Sequence, residues 1–545
     1  MGSASTTDPD QGHPRRWAAL AALCTSLVVV TIDNTVLNTA LPALATGLPA
    51  STADLQWINN AYTLVFAAML ITAGSLGARM GQRLALTGGL TVFALGSAIA
   101  ATADSAGQLI GLRAVMGLGA AFVMPATLST IVTLFGARER PKAIALWSAT
   151  AGLGIVIGPI AGGLLLEHFS WSSVFWINVP LVAIALGAVL VLLPPMPGRP
   201  GGRLDIPGLL LSASGLAALV DVIVQGPERG WLSTTSLAEA AAAVLLLAAF
   251  AGWELRTAEP MVDIRVFAIR AFSLAGVLLA VTFFALFGLL FVLTQYLQLV
   301  HGYSPLKAGL GAVPFALAMA ATAATSARTA ARLGTRHTIA GGLALMSLGL
   351  AGVSLVSTGT PYLVIAAAMA VVGAGMGLIM APASAATVNA LPREKAPTAG
   401  SINSVVRELG GVLGIAVVGT VVSASYRDHL EAALPGASAP ATDDLTSAHL
   451  VAAHLPAEAA GRLLSAADQA FTTAMHSGTW ICAAITLVGA VTALLGFART
   501  APAAPSADDQ PDLGQSDQEQ SDLKQSDPGQ PAVVGADRTP AGARG

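Results

Sequence analysis

Charge is scarce in this sequence. Only 10% of its 545 residues are charged, whereas a soluble globular domain has about 25%. Hydrophobic residues make up 54% of the chain, and its mean hydropathy is +0.71. This composition excludes an ordinary soluble protein and is typical of a protein embedded in a membrane. We therefore expect the lipid bilayer as a partner and no nucleic acid.

Cysteine is rare, and the motifs of enzymes are absent. The two cysteines, Cys24 and Cys482, lie in apolar segments, so neither a disulfide framework nor a zinc site is expected. The sequence has no phosphate-binding loop, metal-ligand motif or nucleophile elbow. It therefore predicts a protein that is not an enzyme, has no catalytic residues, and needs no cofactor or metal.

Three histidines leave one alternative open. His429, His449 and His454 fall in the polar stretch 426–475 and could hold a metal ion. No ligand spacing recurs among them, so a solvated loop is the favoured interpretation.

Long apolar runs, in contrast, are abundant. Each run is near the roughly 20 residues that a helix needs to cross the hydrocarbon core. Fourteen candidate spans start near residues 17, 56, 84, 107, 142, 172, 206, 236, 271, 307, 338, 361, 398 and 476. Lysine and arginine cluster in the alternate connections that share a side with the N-terminus. The positive-inside rule then places both termini in the cytoplasm.

One basic, glycine-marked stretch occurs twice. "ARMGQRLALTGGL" at 78–90 and "ARLGTRHTIAGGL" at 331–343 share Ala, Arg, Gly and Arg, then Gly-Gly-Leu. The copies lie eight spans apart in the same orientation. Chance similarity of two short loops is one interpretation. The other is a parallel repeat of two six-helix halves, with two helices inserted between them.

This repeat defines the expected domains of an all-α membrane protein. Residues 1–14 are a disordered tail, 15–198 a six-helix bundle, and 199–258 two inserted helices. Residues 259–498 form the second six-helix bundle, with an outward loop at 426–475. The acidic, low-complexity stretch 499–545 is expected to be disordered because it cannot bury enough apolar surface to fold.

Ordered motifs then carry a family resemblance. The chain resembles the major facilitator superfamily, specifically its fourteen-helix drug:proton antiporter branch. The motifs are "TIDNTVLNTALPAL" (31–44), "QWINNAYTL" (56–64), "GSLGARMGQR" (74–83), "RAVMGLGAA" (113–121), "GLGIVIGPIAGG" (152–163), "WSSVFWINVP" (171–180), "RLDIPG" (203–208), "YLQLVHGYSPLKAG" (296–309) and "GSINSVVRELGGVLG" (400–414). The resemblance implies the major facilitator fold with fourteen transmembrane helices.

Three positions depart from the family pattern. The superfamily loop motif usually has an acidic residue at Ala78 and a basic residue at Gln82, and the fourth-helix motif often has Gln at Met116. The resemblance assigns gating to this loop and its repeat. The gating candidates are Gly74, Arg79, Gly81, Arg83, Arg332 and Arg336.

Two charges fall inside apolar spans. An ionised carboxylate near the bilayer centre costs roughly 2.5–3.5 kcal/mol, so Asp33 must face a partner or a cavity. Asp33 could exchange a proton for a substrate, or could only hydrogen-bond neighbouring helices. Arg113 needs acceptors because it stays protonated. It could tune Asp33 or bond to backbone carbonyls.

Glycines recur every fourth residue in the fifth span, and small residues at that spacing let another helix approach closely. The resemblance implies that this segment helps to seal the route across an exporter. The segment contains Gly152, Gly154, Gly158, Pro159, Gly162 and Gly163.

Other polar residues are weaker candidates. Arg407 and Glu408 are expected to be structural at the cytoplasmic end of span thirteen, and Asp221 to be interfacial. The remaining candidates to line a cavity, with Arg407, are Asn59, Asn60, Tyr62, Gln295, Tyr296 and Gln298.

These observations predict a monomeric exporter in the bacterial cytoplasmic membrane. It would exchange protons for a small amphipathic drug or antibiotic by alternating access. One alternative is a proton-coupled importer or facilitator of a metabolite, and another is a non-transporting receptor or scaffold that acts through the acidic tail.

Overall fold

The computed structural model describes residues 13–48, 52–136, 139–198, 205–257, 260, 262–391 and 396–497. The predicted tail 499–545 and residues 1–12 lie outside the described residues. All regular secondary structure in the described ranges is helical. Apolar segments of this length fold as helices because a backbone in lipid must satisfy its hydrogen bonds internally.

The helices fall into three consecutive groups. The first group is α1 (Arg16–Gly47), α2 (Thr52–Met80), α3 (Gln82–Ala100), α4 (Ala106–Leu134), α5 (Arg140–His168), α6 (Ser173–Trp176) and α7 (Asn178–Leu192). The second is α8 (Ile206–Arg229) and α9 (Thr234–Glu254), followed by a 3-10 turn at Ile264–Ala268. The third is α10 (Arg270–Gln295) with a π-helical end at Tyr296–Val300, α11 (Pro305–Leu310), α12 (Val313–Leu333), α13 (Thr335–Val353), α14 (Tyr362–Asn389), α15 (Ala396–Ala433), α16 (Ala439–Asp443), α17 (Leu445–Ala452) and α18 (Ala457–Gly496).

Twelve helical stretches among the described residues are long and apolar enough to cross a membrane. The helices α5 and α13, with 29 and 19 residues, are long helices outside that set. The predicted all-helical, multi-pass membrane architecture is confirmed. The count of fourteen spans stays a prediction.

The first and third groups pack in the same pattern. In the first group α1 packs on α5, α2 on α4, and α3 on both α4 and α7. In the third, α10 packs on α15, α12 on α14, and α13 on both α14 and α18. The same helix order therefore gives the same set of neighbours twice. The helix α8 contacts both α2 and α15, so the inserted pair touches both groups.

The repeated basic stretch has a conformational reason. Gly81 precedes α3 with φ 95°, and Gly334 precedes α13 with φ 84°. Residues with a side chain rarely adopt this left-handed region of φ, whereas glycine adopts it freely. A Cβ at Gly81 would also collide with the carbonyl oxygen of Met196. The glycine shared by the two copies thus allows the same sharp turn in each half.

The last long helix differs from the sequence expectation. It begins at Ala457, well before the predicted start near residue 476, and α15 continues to Ala433. Leu463, Ala467 and Ala470 are buried, and α17 packs on α18. Residues 457–475 alternate polar and apolar positions at helical spacing, so they do not form the continuous apolar run that marks a span.

Candidate functional site

A buried ion pair lies inside the first helix group. Asp33 is near the middle of α1, and Arg113 is on α4. Arg113 Nη1 donates to Asp33 Oδ2 at 2.7 Å, and the two side chains are 0% and 2% exposed. The structure therefore brings together the two intramembrane charges that the sequence singled out. Each charge compensates the other in a place where an isolated charge would be costly.

The helix α2 supplies two further contacts to the arginine. Arg113 Nε donates to the backbone carbonyl of Ile58 at 3.2 Å. The guanidinium carbon also lies 4.3 Å from the centroid of the Tyr62 ring, within cation–π distance. Tyr62 is thus the cavity candidate that reaches the ion pair, and it is only 1% exposed. Asn59 and Asn60 follow Ile58 on the same helix and are half-buried.

Asn178, at the start of α7, holds the other carboxylate oxygen. Its Nδ2 donates to Asp33 Oδ1 at 2.8 Å and to Ser97 Oγ at 3.0 Å. Ser97 Oγ in turn donates to the carbonyl of Phe175 at 2.8 Å. Ser97 and Asn178 are both 0% exposed. Helices α1, α2, α3, α4 and α7 therefore meet at one polar centre.

Three polar atoms around this centre have no hydrogen-bond partner among the described residues. They are Arg113 Nη2, Asn178 Oδ1 and the Tyr62 hydroxyl oxygen. Buried polar atoms are normally paired, so such a cluster needs an explanation. Both oxygens of Asp33 already accept from N–H donors, so these three atoms are polar groups of the centre that the ion pair leaves unpaired.

The two halves do not carry the same charges at equivalent positions. Gly117 and Gly119 on α4 correspond to Gly373 and Gly375 on α14, because each set meets the equivalent neighbouring helices. On that alignment Met369, which is 0% exposed, stands where the first half has Arg113. The polar centre is thus a feature of the first half, set into an otherwise repeated scaffold.

The helix α1, which carries Asp33, fits tightly against α5. A Cβ built at Gly154, Gly158 or Gly162 would collide with the side-chain oxygen of Thr31, Thr35 or Thr39, respectively. The glycines form a groove at four-residue spacing, and the threonines form the matching ridge. Each threonine hydroxyl also donates to a carbonyl of its own helix. Gly152 lies on the same helix.

The same segment of α5 touches the second half. A Cβ added to Gly309 on α11 would lie 3.0 Å from the Pro159 Cβ. A Cβ at Gly163 would lie 3.1 Å from the backbone of Leu306. The helix α5 is therefore in close contact with α1 on one side and with α11 on another.

The gating candidates of the first half hold the end of α7. Arg83 Nη2 donates to the carbonyl of Leu190 at 2.6 Å. A Cβ at Gly198 would meet the carbonyl of Arg79, so the 196–198 segment lies against the α2–α3 turn. Gly74 is buried on α2. In the second copy Arg332 is exposed at the end of α12, and Arg336 is half-buried on α13.

Arg407 lies about three turns after the start of α15 at Ala396. Its structural role at the cytoplasmic end of span thirteen stays a prediction. The side chain is 7% exposed. Its guanidinium carbon lies 4.5 Å from the Phe283 ring centroid and 5.3 Å from that of Trp147. Since Trp147 is on α5, Arg407 sits at a contact between the halves.

The candidates at 295–298 lie apart from the ion pair. Tyr296 is fully buried, and its hydroxyl donates to the carbonyl of Ser357 at 2.6 Å and lies 3.0 Å from His301 Nε2. Gln295 donates to the carbonyl of Phe291 at 3.3 Å, and Gln298 is half-buried. Burial, and secondarily the nearby ammonium of Lys307, lowers the pKa of His301.

The residues of the predicted outward loop form local contacts. His429 bonds to a carbonyl of its own helix, and His454, in the turn after α17, bonds to the Leu450 carbonyl. His449 Nε2 lies 3.7 Å from Asp468 Oδ1. No group of three metal-ligating side chains occurs among the described residues. Asp221 on α8 pairs with Arg229 at 3.3 Å.

The fold and the site together define a polytopic membrane protein with two similarly packed helix bundles and a buried ion pair in one of them. The chain matches the Major Facilitator Superfamily over residues 23–415. Since that match covers well over half of its length, the chain belongs to this family of membrane transporters.

Two curated relatives extend over most of the chain. It is 34% identical over 504 residues to the multidrug efflux pump LfrA of Mycolicibacterium smegmatis, covering 91% of this chain and 99% of the relative. It is 33% identical over 491 residues to the tetracenomycin C resistance and export protein of Streptomyces glaucescens, covering 88% and 91%. The fold is similar to that of the human organic anion transporter MFSD10, with a TM-score of 0.58, 15% identity, and coverage of 87% and 100%.

Proposed function

We propose that the chain is a proton-coupled exporter of amphipathic drugs or antibiotics. It would work by alternating access in the bacterial cytoplasmic membrane, as a monomer with both termini in the cytoplasm. Two six-helix halves, 15–198 and 259–498, would rock against each other around the inserted pair 199–258. The names of the relatives support an efflux function, and the paired packing of the helices supports two moving halves.

The observation that carries the proposal is the buried pair of Asp33 and Arg113. When Asp33 is ionised, its carboxylate is the counter-ion of the Arg113 guanidinium. When Asp33 binds a proton, the fixed charge of Arg113 loses its counter-ion in a buried site. Proton binding and the packing of α1 against α4 are therefore linked. A cationic or strongly polar substrate that stabilises the packing found with ionised Asp33 would therefore favour release of the proton from Asp33.

Contacts made by α5 connect the polar centre around Asp33 to the second half. The helix α1, which carries Asp33, interlocks with α5 through the threonine ridge and the glycine groove. The helix α5 contacts α11 through Pro159 and Gly163. A shift of α1 on protonation would therefore change the contact between the halves, as alternating access requires.

A proton gradient suffices as the energy source. Each charge that crosses 100 mV yields roughly 2.3 kcal/mol. That free energy supports about a fifty-fold gradient of a neutral substrate. ATP is not needed for transport on this scale.

The direction of transport tests the proposal. Inside-out vesicles that contain the full chain would be energised by respiration, and accumulation of ethidium and of tetracenomycin C would be followed. An exporter accumulates substrate in the lumen, and the accumulation collapses with a protonophore. Asp33→Asn should abolish it, whereas Asp221→Asn, a matched change in α8, should not. Loss of pre-loaded substrate from the lumen on energisation would instead indicate an importer.

A further inference from the structure

A pocket of about 450 Å³ opens where three long helices end. The start of α1, the start of α3 and the end of α7 surround it. Its lining residues are His13, Pro14, Arg15, Arg83, Leu190, Val191, Leu192, Leu193, Pro194 and Pro195. This pocket is distinct from the polar centre around Asp33, and neither the family nor the relatives' names assign it a ligand.

The helix topology places the pocket at the surface of the bilayer. Successive spans cross in opposite directions, so the starts of α1 and α3 share a membrane face with the end of α7. The pocket brings these ends together at Arg15, Arg83 and Leu192. Groups at the ends of spans of this length lie at the level of the lipid headgroups.

The charges that line the pocket are of one sign. Arg15 and Arg83 line it, and no carboxylate is among the described lining residues. The neighbouring Arg16 is already paired with Glu139. Arg83 is held in place by its hydrogen bond to the Leu190 carbonyl, and the His13 ring accepts from the Arg15 backbone N–H at 3.2 Å. The pocket is thus a cationic site in which one of the two arginine side chains is held in position.

An apolar surface continues from the pocket along α7. Leu190 is 51% exposed and Val191 is 72% exposed, and both also line the pocket. An anionic headgroup could contact the arginines while its acyl chains lie against these two side chains. This combination of a basic end and an apolar wall suits a phospholipid better than a free anion, which would use only the basic end.

We propose that this pocket binds the headgroup of an anionic phospholipid, with the acyl chains packed against Leu190 and Val191. Basic pockets between transmembrane helices on the cytoplasmic side bind such headgroups. The lipid would bridge α1, α3 and α7, three of the helices that build the centre around Asp33.

Native mass spectrometry of the full-length protein in detergent tests this proposal. Binding of dioleoylphosphatidylglycerol would be compared with that of dioleoylphosphatidylcholine for the wild type, for R15Q/R83Q, and for R15K/R83K. A control, R265Q/R328Q, removes two exposed arginines that do not line the pocket. Each basic residue near the surface contributes about fivefold, so R15Q/R83Q should weaken phosphatidylglycerol binding about 30-fold. The control and R15K/R83K should stay near the wild type.

Three results would overturn the proposal. They are equal binding of the two lipids, equal loss in R15Q/R83Q and R265Q/R328Q, or displacement of phosphatidylglycerol by millimolar inorganic phosphate. The last would indicate a site for a free anion. Should R15Q/R83Q fail to fold, R15Q alone changes an exposed side chain and should weaken phosphatidylglycerol binding about fivefold. An unchanged affinity in R15Q would also count against a lipid site here.

Discussion

Enlarging Gly162 tests the interlock between α1 and α5. In Gly162→Ala the new Cβ would collide with Thr39 Oγ1 and would lie 2.9 Å from Val36 Cγ2. Overpacking of this kind typically costs about 1–3 kcal/mol. The better helix propensity of alanine offsets up to about 1 kcal/mol of that. We therefore expect a net loss of stability, together with slower transport.

The matched control is Gly187→Ala on α7, where a Cβ would meet nothing within 4 Å. This variant should be neutral or stabilised by up to about 1 kcal/mol, since only the helix-propensity term acts. Thr39→Ala removes the closest obstacle, so G162A/T39A should recover part of the loss. The thermal unfolding midpoint in detergent and ethidium accumulation would be measured for all four variants.

Equal behaviour of Gly162→Ala and Gly187→Ala would refute the interlock. A double variant no better than Gly162→Ala would show that Thr39 is not the obstacle. Loss of transport with an unchanged thermal unfolding midpoint would indicate that the clash destabilises only one of the conformations that transport requires. A difference of 1–3 kcal/mol between two conformations changes their ratio roughly 5- to 150-fold.

Three further predictions concern charged and polar contacts. Arg113→Gln leaves the Asp33 carboxylate buried without its counter-ion and should lower the stability of the fold by about 3–5 kcal/mol, seen as a lower folded yield by size exclusion. The double variant D33N/R113Q should recover much of that yield, and equal yields of the single and double variants would contradict this. Asn178→Ala removes the donor to Asp33 Oδ1 and should shift the pH at which transport is half-maximal, while a profile that keeps its midpoint would exclude a role for Asn178 in holding the carboxylate. The hydrogen bond from Arg16 lowers the pKa of the Glu139 carboxyl below 4.5, so the stabilising effect of this pair is present above that pH and is lost as the pH falls through the lowered pKa. The difference in melting temperature between wild type and Glu139→Gln should therefore vanish in acid, and a difference that grows in acid would contradict this prediction.

Much of the architecture could be predicted from the sequence, because hydropathy reports directly on membrane helices. Most predicted span starts fall within a few residues of a helix start, and the repeated loops mark equivalent turns at Gly81 and Gly334. The start of α18 could not be found in this way. Its first five turns are amphipathic and bury Leu463 against neighbouring helices, so they lack an apolar run.

Only the charged part of the candidate site could be predicted from the sequence. Asp33 and Arg113 stand out as charges in apolar runs, but Asn178 and Ser97 carry no charge and are ordinary in a helix. Asn178 falls within the quoted motif 171–180, yet nothing in one sequence gives its partner 145 positions away. The threonine ridge was the more accessible signal. The four-residue spacing from Thr31 to Thr39 matches that of the glycines on α5 and could have been paired with it.

Substrate-triggered proton release tests the central claim most directly. Inside-out vesicles would be acidified by respiration, with a pH-sensitive dye in the lumen, and ethidium or tetracenomycin C would then be added. Antiport at Asp33 predicts a rise in lumenal pH for the wild type and for Asp221→Asn, and none for Asp33→Asn. An equal rise in Asp33→Asn would contradict the assignment of the proton site, and substrate accumulation without any change in lumenal pH would contradict proton coupling itself.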